Sequence, residues 1–592
     1  MKRIKKYAAV FSVAACIIAT ASCKKVFDLE PETTLDKEQM YRNVYDADAA
    51  VLGLYGKLLG VAKQYVVLNE LRADLMDVTI GSDDELKQIN SHTVTTANSY
   101  ADPRPFYSVI INCNDVIKNF NIMRAEKKFS ETEYQQRYAD VIALRSWLYL
   151  QVAIQYGTVP YITSPLETID DVKDQSKFPR IALEQLLDTL INTTKAVAFK
   201  DVYPSGTSLV TQVDGYNTAK FFINKKCLLG DLYLWRSAFG KYSDDALNAA
   251  TYYKQVMETY TPTNGNWDNY RVRFGDVLTN SDVAVNYWGD ARIRKYNEND
   301  LVDVNYSGWR SIFARGQDNL WDGEWIWMLY FDKAFKPANP FIDLFSNIGG
   351  RYQLKPSQAA IDGWNAQVQS DNNFPYDARG KLTYKTINGQ PVITKYLYNY
   401  FADGNTFIPV NMLEKPGKWF LYRAAMLHLR YSEAANRDGR RRIAYSLVNN
   451  GIQYNFDDNP GAGTSRNVTN TQQTFDKVPY DFDARNGDYP TFRASWHRNV
   501  GVRGRANVKP ITIASGADST IAIENMIIDE GGLELAYEGQ RWADLLRHAI
   551  RRNDPSILAN RVYQKLLKSG NPTAATVRTK LMSRDWFLPF KY

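Results

Sequence analysis

"SETEYQQRYADVIALRSWLYLQVAIQYG", residues 130–157, decides the fold class. Ser130 and Glu133 are spaced as a capping box, in which hydroxyl and carboxylate each satisfy a free backbone N–H of the other's residue. Tyr138, Val141, Ile142, Tyr149 and Val152 then recur at helical spacing, and Gly157 supplies a stop. The same period returns in "DADAAVLGLYGKLLG" (46–60), where Ala50, Val51, Leu54 and Leu58 form one stripe. It returns again in "TAKFFINKKCLLGDLYLWRSAFG" (218–240), closed by Gly240, after which Ser243, Asp244 and Asp245 cap the next helix. Two helices joined by a short capped turn make a hairpin. Hairpins are therefore predicted near 40–160, 218–260, 418–450 and 523–550. The class is mostly α, and the pairs resemble tetratricopeptide units, although no strict 34-residue period is legible.

Between the hairpins the text changes character. Residues 262–417 are rich in Gly, Asn, Asp, Pro and aromatics, and residues 451–500 read as an insertion of the same kind. Within the first stretch, "EWIWMLYF" (324–331) reads as a core strand. Long irregular loops on a rigid frame are where binding residues tend to sit.

The N-terminus carries an export signal. Lys2, Arg3, Lys5 and Lys6 precede an apolar, small-residue run from Tyr7 to Ala21, too short to span a bilayer. Cys23 follows Ala21-Ser22, and the stretch resembles a lipobox, with Thr20 where Leu or Val is usual. Cys16 is a rival match, but cutting there would leave Ile17 and Ile18 at the new terminus. The expectation is a signal peptide over 1–22, an acylated Cys23, and one domain over 23–592 tethered to a membrane without a spanning helix.

Net charge is +7, and removing the four signal cations leaves +3, with no Lys/Arg block; this is not the footprint of a nucleic-acid binder. Cys113 and Cys227 sit in apolar, helix-like contexts and read as buried free thiols. The aromatic content, 13 Trp, 39 Tyr and 26 Phe, exceeds what a core needs and suits binding surfaces.

Catalytic signatures are missing from the sequence: there is no HExxH, G-x-S-x-G, phosphate-binding loop or CxxC. His92, His428, His497 and His548 lie far apart without ligand spacing. "GSDDE" (81–85) and "YNENDLVD" (296–303) read as solvated acidic loops, so neither metal nor cofactor is expected. Glu538, Arg541, Trp542 and Asp544 read as an ion pair beneath a packed Trp on one helix face, and Glu433 as similar helix support.

Four stretches carry a family likeness. "IINCNDVIKNF" (110–120) with Arg145, Tyr149, Gly157 and Pro160, "WFLYRAAMLHLRYSEAANRDG" (419–439), "LELAYEGQRWADLLRH" (533–548) and "WFLPFKY" (586–592) resemble segments of the SusD/RagB family, as does the opening "FDLEPET" (27–33). Met426 stands where that family usually has an acidic residue, and Gly531-Gly532 where it usually has Arg. The resemblance implies a SusD-like fold of four tetratricopeptide-like helix pairs with a loop-rich insertion. It implies a surface-exposed outer-membrane lipoprotein that captures oligosaccharides for a SusC-like TonB-dependent transporter. Peptide capture is the alternative within the family; a surface hydrolase or an adhesin lies outside it.

Sugars lay their C–H faces on aromatic rings while Asn, Asp and Arg hold the hydroxyls. "NYWGD" (286–290), "NYSGWR" (305–310) and "DNLWDGEW" (318–325) combine these types, making Trp288, Tyr306, Trp309, Arg310, Asn319 and Trp321 ligand candidates. A second area, placed by the resemblance, contains Arg72, Asp74 and Tyr100 beside "NSYADPRPFY" (98–107).

Overall fold

The computed structural model describes residues 40–166, 178–198, 203–204, 206–213, 216–259, 270, 272, 285, 308–314, 324–332, 336–370, 373, 375–397, 400–403, 406–409, 417–456, 472–485, 494–497 and 499–590. Its longer elements are α1 (Val44–Leu59), α2 (Arg104–Ala125), α3 (Glu131–Tyr156), α4 (Leu183–Ala196), α5 (Lys225–Ala238), α6 (Asp245–Met257), β1 (Trp325–Phe331) and β2 (Gly417–Arg423). The C-terminal part adds α7 (Ala424–Arg437), α8 (Arg441–Val448), α9 (Ser519–Glu534), α10 (Arg541–Arg551), α11 (Ser556–Lys568) and α12 (Ala574–Met582). Helices dominate, as the periodicity predicts.

Local chemistry sets the ends of α3. Ser130 accepts from the Glu133 N–H and the Glu133 side chain accepts from the Ser130 N–H, closing the predicted box. Gly157 ends the helix at φ 73°, and a Cβ there would lie 2.7 Å from the Phe587 ring, so only glycine fits the turn and the returning C-terminus. The amide of Leu588 donates to the Gln155 carbonyl at 2.9 Å, which docks the closing stretch on α3.

Neighbouring helices pack in succession: α2 on α3, α3 on α4, α4 on α5, α5 on α6, α6 on α7, and α7 on both α8 and α9. Val51, Leu54 and Leu58 of α1 join one large apolar core that also takes in Trp586 and Leu588. Each fully buried large apolar side chain contributes about 1.5–3 kcal/mol. Cys113 and Cys227 are buried within it as free thiols. Among the described residues no single helix is long and apolar enough to cross a membrane.

Residues 418–423 depart from the helical expectation. They form β2, antiparallel to β1 from Gly417↔Phe331 to Arg423↔Trp325, and α7 begins only at Ala424. The run "KWFLYR" carries aromatics and branched residues on a segment buried on both faces, so its pattern does not distinguish strand from helix. One side of the strand pair meets the scaffold, where Trp147 packs on Trp327 at 5.1 Å and Tyr65 on Trp419 at 5.4 Å. A second apolar cluster takes Trp325, Met328 and Phe420 together with Trp309, Ile312 and Phe313. The described residues of the stretch 262–417 include regular elements that its composition does not suggest: besides β1, helices Phe341–Phe345, Gln358–Asn365 and Ala378–Thr383, and the paired strands Tyr384–Ile387 and Gln390–Ile393.

Candidate functional site

Two of the N-terminal candidates are internal struts. The Arg72 guanidinium lies 3.9 Å over the Trp542 ring, donates to Gln155 Oε1 at 2.7 Å and also donates to the Trp586 carbonyl. Burial pushes its pKa down to about 9. Asp74 accepts from Arg541 Nε at 2.7 Å and Nη2 at 2.8 Å. Burial alone would raise that carboxyl, but Arg541 overrides it and holds it below the usual range. Gly532 leaves room for this pair, since a Cβ there would lie 3.1 Å from Arg541 Nη1.

The loop candidates divide in two. Trp309 and Arg310 lie on the short helix Gly308–Ala314 and are both fully buried. Trp309 packs edge-on against Phe313 at 4.9 Å, and the indole of Trp325 donates to the Ile312 carbonyl at 3.0 Å. These residues belong to the core and not to an exposed surface. Trp288, Tyr306, Asn319 and Trp321 fall outside the described residues, as does Cys23.

The anchors are held by a buried ionic lattice. Arg423 donates to Glu324 Oε1 at 2.8 Å, to Glu534 Oε1 at 2.7 Å and to Glu538 Oε2 at 2.8 Å. Arg505 joins Glu324 at 2.5 Å and Glu534 at 2.9 Å. Arg379 joins Asp377, Glu530 and Glu534 at 2.6–2.7 Å, Arg503 reaches Glu530 at 3.0 Å, and Lys395 reaches Glu538 at 2.8 Å. Burial alone would raise the Glu534 carboxyl, but Arg423, Arg505 and Arg379 hold it well below the usual range. Every carboxylate in this lattice is already paired with a cation, so it suits positioning and not proton transfer.

The geometry corrects the reading of "ELAYEGQRW". Tyr537 (φ 71°) and Gly539 (φ 81°) turn the chain between α9 and α10, so Glu538 does not share a helix face with Arg541. Glu538 faces Arg423 and Lys395, while Arg541 faces Asp74. Glu70 secures the turn, with Oε1 accepting from the Gly539 and Gln540 N–H groups at 2.7 and 3.0 Å. Burial pushes its carboxyl up to about 7 against these hydrogen bonds. Glu433 keeps its expected supporting role, bound by Arg547 at 2.9 Å and by Arg437. Arg379, Lys395, Arg503 and Arg505 had no sequence signal, because, Asp377 beside Arg379 apart, their carboxylate partners lie 27 to 181 residues away.

The comparisons with known proteins agree with this architecture. The model of the SusD family matches residues 324–585, the stretch that supplies nearly the whole lattice. Residues 324–585 thus carry the SusD family pattern, and the chain has a mostly α, SusD-like fold. A curated relative, SusD-like protein P38 of Formosa agariphila, is 26% identical over 195 residues, 32% of this chain and 37% of that protein's length. A SusD superfamily protein from Bacteroides vulgatus superposes with a TM-score of 0.56 at 13% identity, covering 91% of this chain and 92% of that one. A SusD-like carbohydrate-binding protein from Bacteroides fragilis gives 0.52 at 14% identity, covering 87% and 88%. A laminarin-binding SusD-like protein gives 0.50 at 14% identity, covering 89% and 98%. At these identities the likeness establishes the fold.

Tyr100 borders an outward-facing polar patch. Lys63 Nζ lies 5.2 Å over its ring, the Ser99 N–H donates to Glu85 at 2.9 Å, and Arg351 pairs with Asp343 at 2.6 Å. Burial pushes the Tyr100 phenol above its usual range. Ile80, 99% exposed, projects from the turn whose Gly81 abuts the Arg351 carbonyl. The patch and the buried Trp309 cluster lie toward opposite ends of β1, a strand on the order of 20 Å long. Trp325 joins the Trp309 cluster, while Phe331 packs on Phe341, which shares a helix with Asp343. A cleft between α7, α9 and α10, lined by Arg430, Glu433, Gly531 and His548, has about 20 Å³ of room, enough for a water and not for a sugar. Among the described residues no group of three His, Cys, Asp or Glu is placed to hold a metal, and Asp83 caps the helix Asp84–Asn90 through the Leu86 N–H.

Proposed function

We propose that this SusD/RagB chain is a non-catalytic lipoprotein, tethered through acylated Cys23 at the outer face of an outer membrane. There it captures oligosaccharides and hands them to a SusC-like TonB-dependent transporter. The observation that carries the reading is the clamping of the aromatic loops at their bases: the Val285 N–H donates to the Arg505 carbonyl, Trp309 is buried, and Glu324 is ion-paired to Arg423 and Arg505. A rigid base lowers the ordering cost of binding for rings carried beyond it. Trp288, Tyr306, Asn319 and Trp321 are assigned ligand contact, and Tyr100 contributes the edge of the second area. Arg72, Asp74, Trp309 and Arg310 act from beneath, by holding backbone in place. Relatives named for carbohydrate and laminarin binding support a glycan ligand.

A glycan and peptide array probed with the purified chain tests the reading. Retention of a glycan class, its loss in Trp321→Ala and Trp288→Ala, and recovery of the glycan uncleaved are expected. Retention of peptides alone, or accumulation of cleavage products, overturns it. Mass spectrometry of Cys23 from the native membrane tests the tether separately.

A further inference from the structure

Residues 472–485 form a tightly bonded projection. The Thr474 N–H donates to the Phe482 carbonyl at 3.0 Å, the Ala484 N–H to the Gln472 carbonyl at 2.9 Å and the Tyr480 N–H to the Lys477 carbonyl at 2.8 Å. Its root is apolar, with Phe482 packed on Trp496 at 4.7 Å and on Tyr431 at 5.6 Å. On this firm base the tip does the opposite of what burial favours: Phe475 is 77% exposed and Val478 71%. Phe475 also sits at φ 56°, a conformation that disfavours a bulky side chain. Tyr454, 50% exposed, lies nearby, since Gln472 Nε2 donates to the adjoining Gln453 carbonyl.

Cations gather around this tip. Arg440 pairs with Asp476 at 3.1 Å, Arg441 donates to Ser519 Oγ at 3.1 Å, and Arg442 donates to the Asn455 carbonyl at 2.6 Å. Arg441, Arg442 and Lys477 have no carboxylate within ion-pair reach among the described residues. Of the nearby acids, Asp476 is paired with Arg440 and Asp481 with Lys254 at 2.8 Å, while Asp438 accepts from the Tyr480 hydroxyl at 2.6 Å and Asp518 caps α9 beside Ser519.

We propose that the Phe475–Val478 tip and its arginine collar form a docking surface for an anionic lipid bilayer. Exposed apolar side chains beside cations, three of which have no carboxylate partner among the described residues, suit a soft interface, where the side chains enter the acyl boundary and the cations meet headgroup phosphates. A rigid protein partner would need a matching pocket for the tip, whereas a bilayer needs none. The surface would set the orientation of the domain on its membrane.

The test is flotation of the full chain, carrying Cys23→Ala so that acylation cannot contribute, with vesicles of phosphatidylglycerol in phosphatidylcholine. Phe475→Asn with Val478→Thr keeps the backbone, because Asn tolerates positive φ and Thr matches Val in shape. That pair is expected to weaken binding about tenfold or more, as is Arg441→Glu with Lys477→Glu, at unchanged melting temperature. Binding to pure phosphatidylcholine should be much weaker. Equal flotation of parent and variants, equal binding to neutral and anionic vesicles, or binding to polyglutamate in place of vesicles overturns the proposal.

Discussion

Arg423 Nη1 stands 2.7 Å from Glu534 Oε1 across 111 residues of chain, with both side chains fully buried. The contact joins the last residue of the aromatic strand β2 to the end of α9, and through Glu324 it ties down the residue that precedes β1. Arg423→Ala would leave Glu324, Glu534 and Glu538 short of a cation in a dry interior. Breaking a buried pair from one side typically costs about 3–5 kcal/mol. Chemical denaturation should show a loss of that order. Arg423→Lys should recover little of it, because one ammonium cannot reproduce a fork that reaches three carboxylates.

Acid should weaken the fold through Glu433 and Glu534. Burial opposes ionisation of each, but Arg437, Arg547 and His548 around Glu433, and Arg423, Arg505 and Arg379 around Glu534, hold both carboxyls well below 4.5. Their stabilisation is present above the unfolded value and is lost as pH falls through the folded one. Melting temperature should therefore fall steadily below about pH 4.5, and Glu433→Gln should flatten that limb while lowering stability at pH 7.

Glu70 acts in the opposite sense. Its carboxyl is raised by burial from 4.5 to about 7. The contribution is full below the unfolded value and is lost as pH rises through the folded one. Melting curves between pH 5 and 8 should decline, and Glu70→Gln should remove that decline. An unchanged slope in Glu70→Gln would show that another group titrates there.

The helical frame was legible because capping and periodicity act within a few residues, as with Ser130, Glu133 and Gly157. β2 was not, since a strand buried on both faces loses its alternation, and the run Trp419 to Arg423 leads straight into α7. Trp309 shows the limit at the site. Its Gly-flanked, Arg-adjacent setting reads as a sugar platform, yet the structure buries it against Phe313. Burial at that position depends also on Lys395 and Glu534, which lie far from it in sequence.

Gly531 and Gly532, adjacent on α9, should respond in opposite directions to alanine. At Gly531 a Cβ meets nothing within 4 Å, so Gly531→Ala gains helix propensity without a clash and should stabilise by about 0.5–1 kcal/mol. At Gly532 the Cβ would press to 3.1 Å from Arg541 Nη1, an atom tied by the Ile528 carbonyl, while the same guanidinium grips Asp74. Arg541 cannot withdraw without stretching those bonds, so Gly532→Ala should destabilise despite the same propensity gain. Urea midpoints of the two variants, measured beside the parent, check the contrast. A Gly532→Ala midpoint at or above the parent's would mean that the Arg541–Asp74 pair has slack.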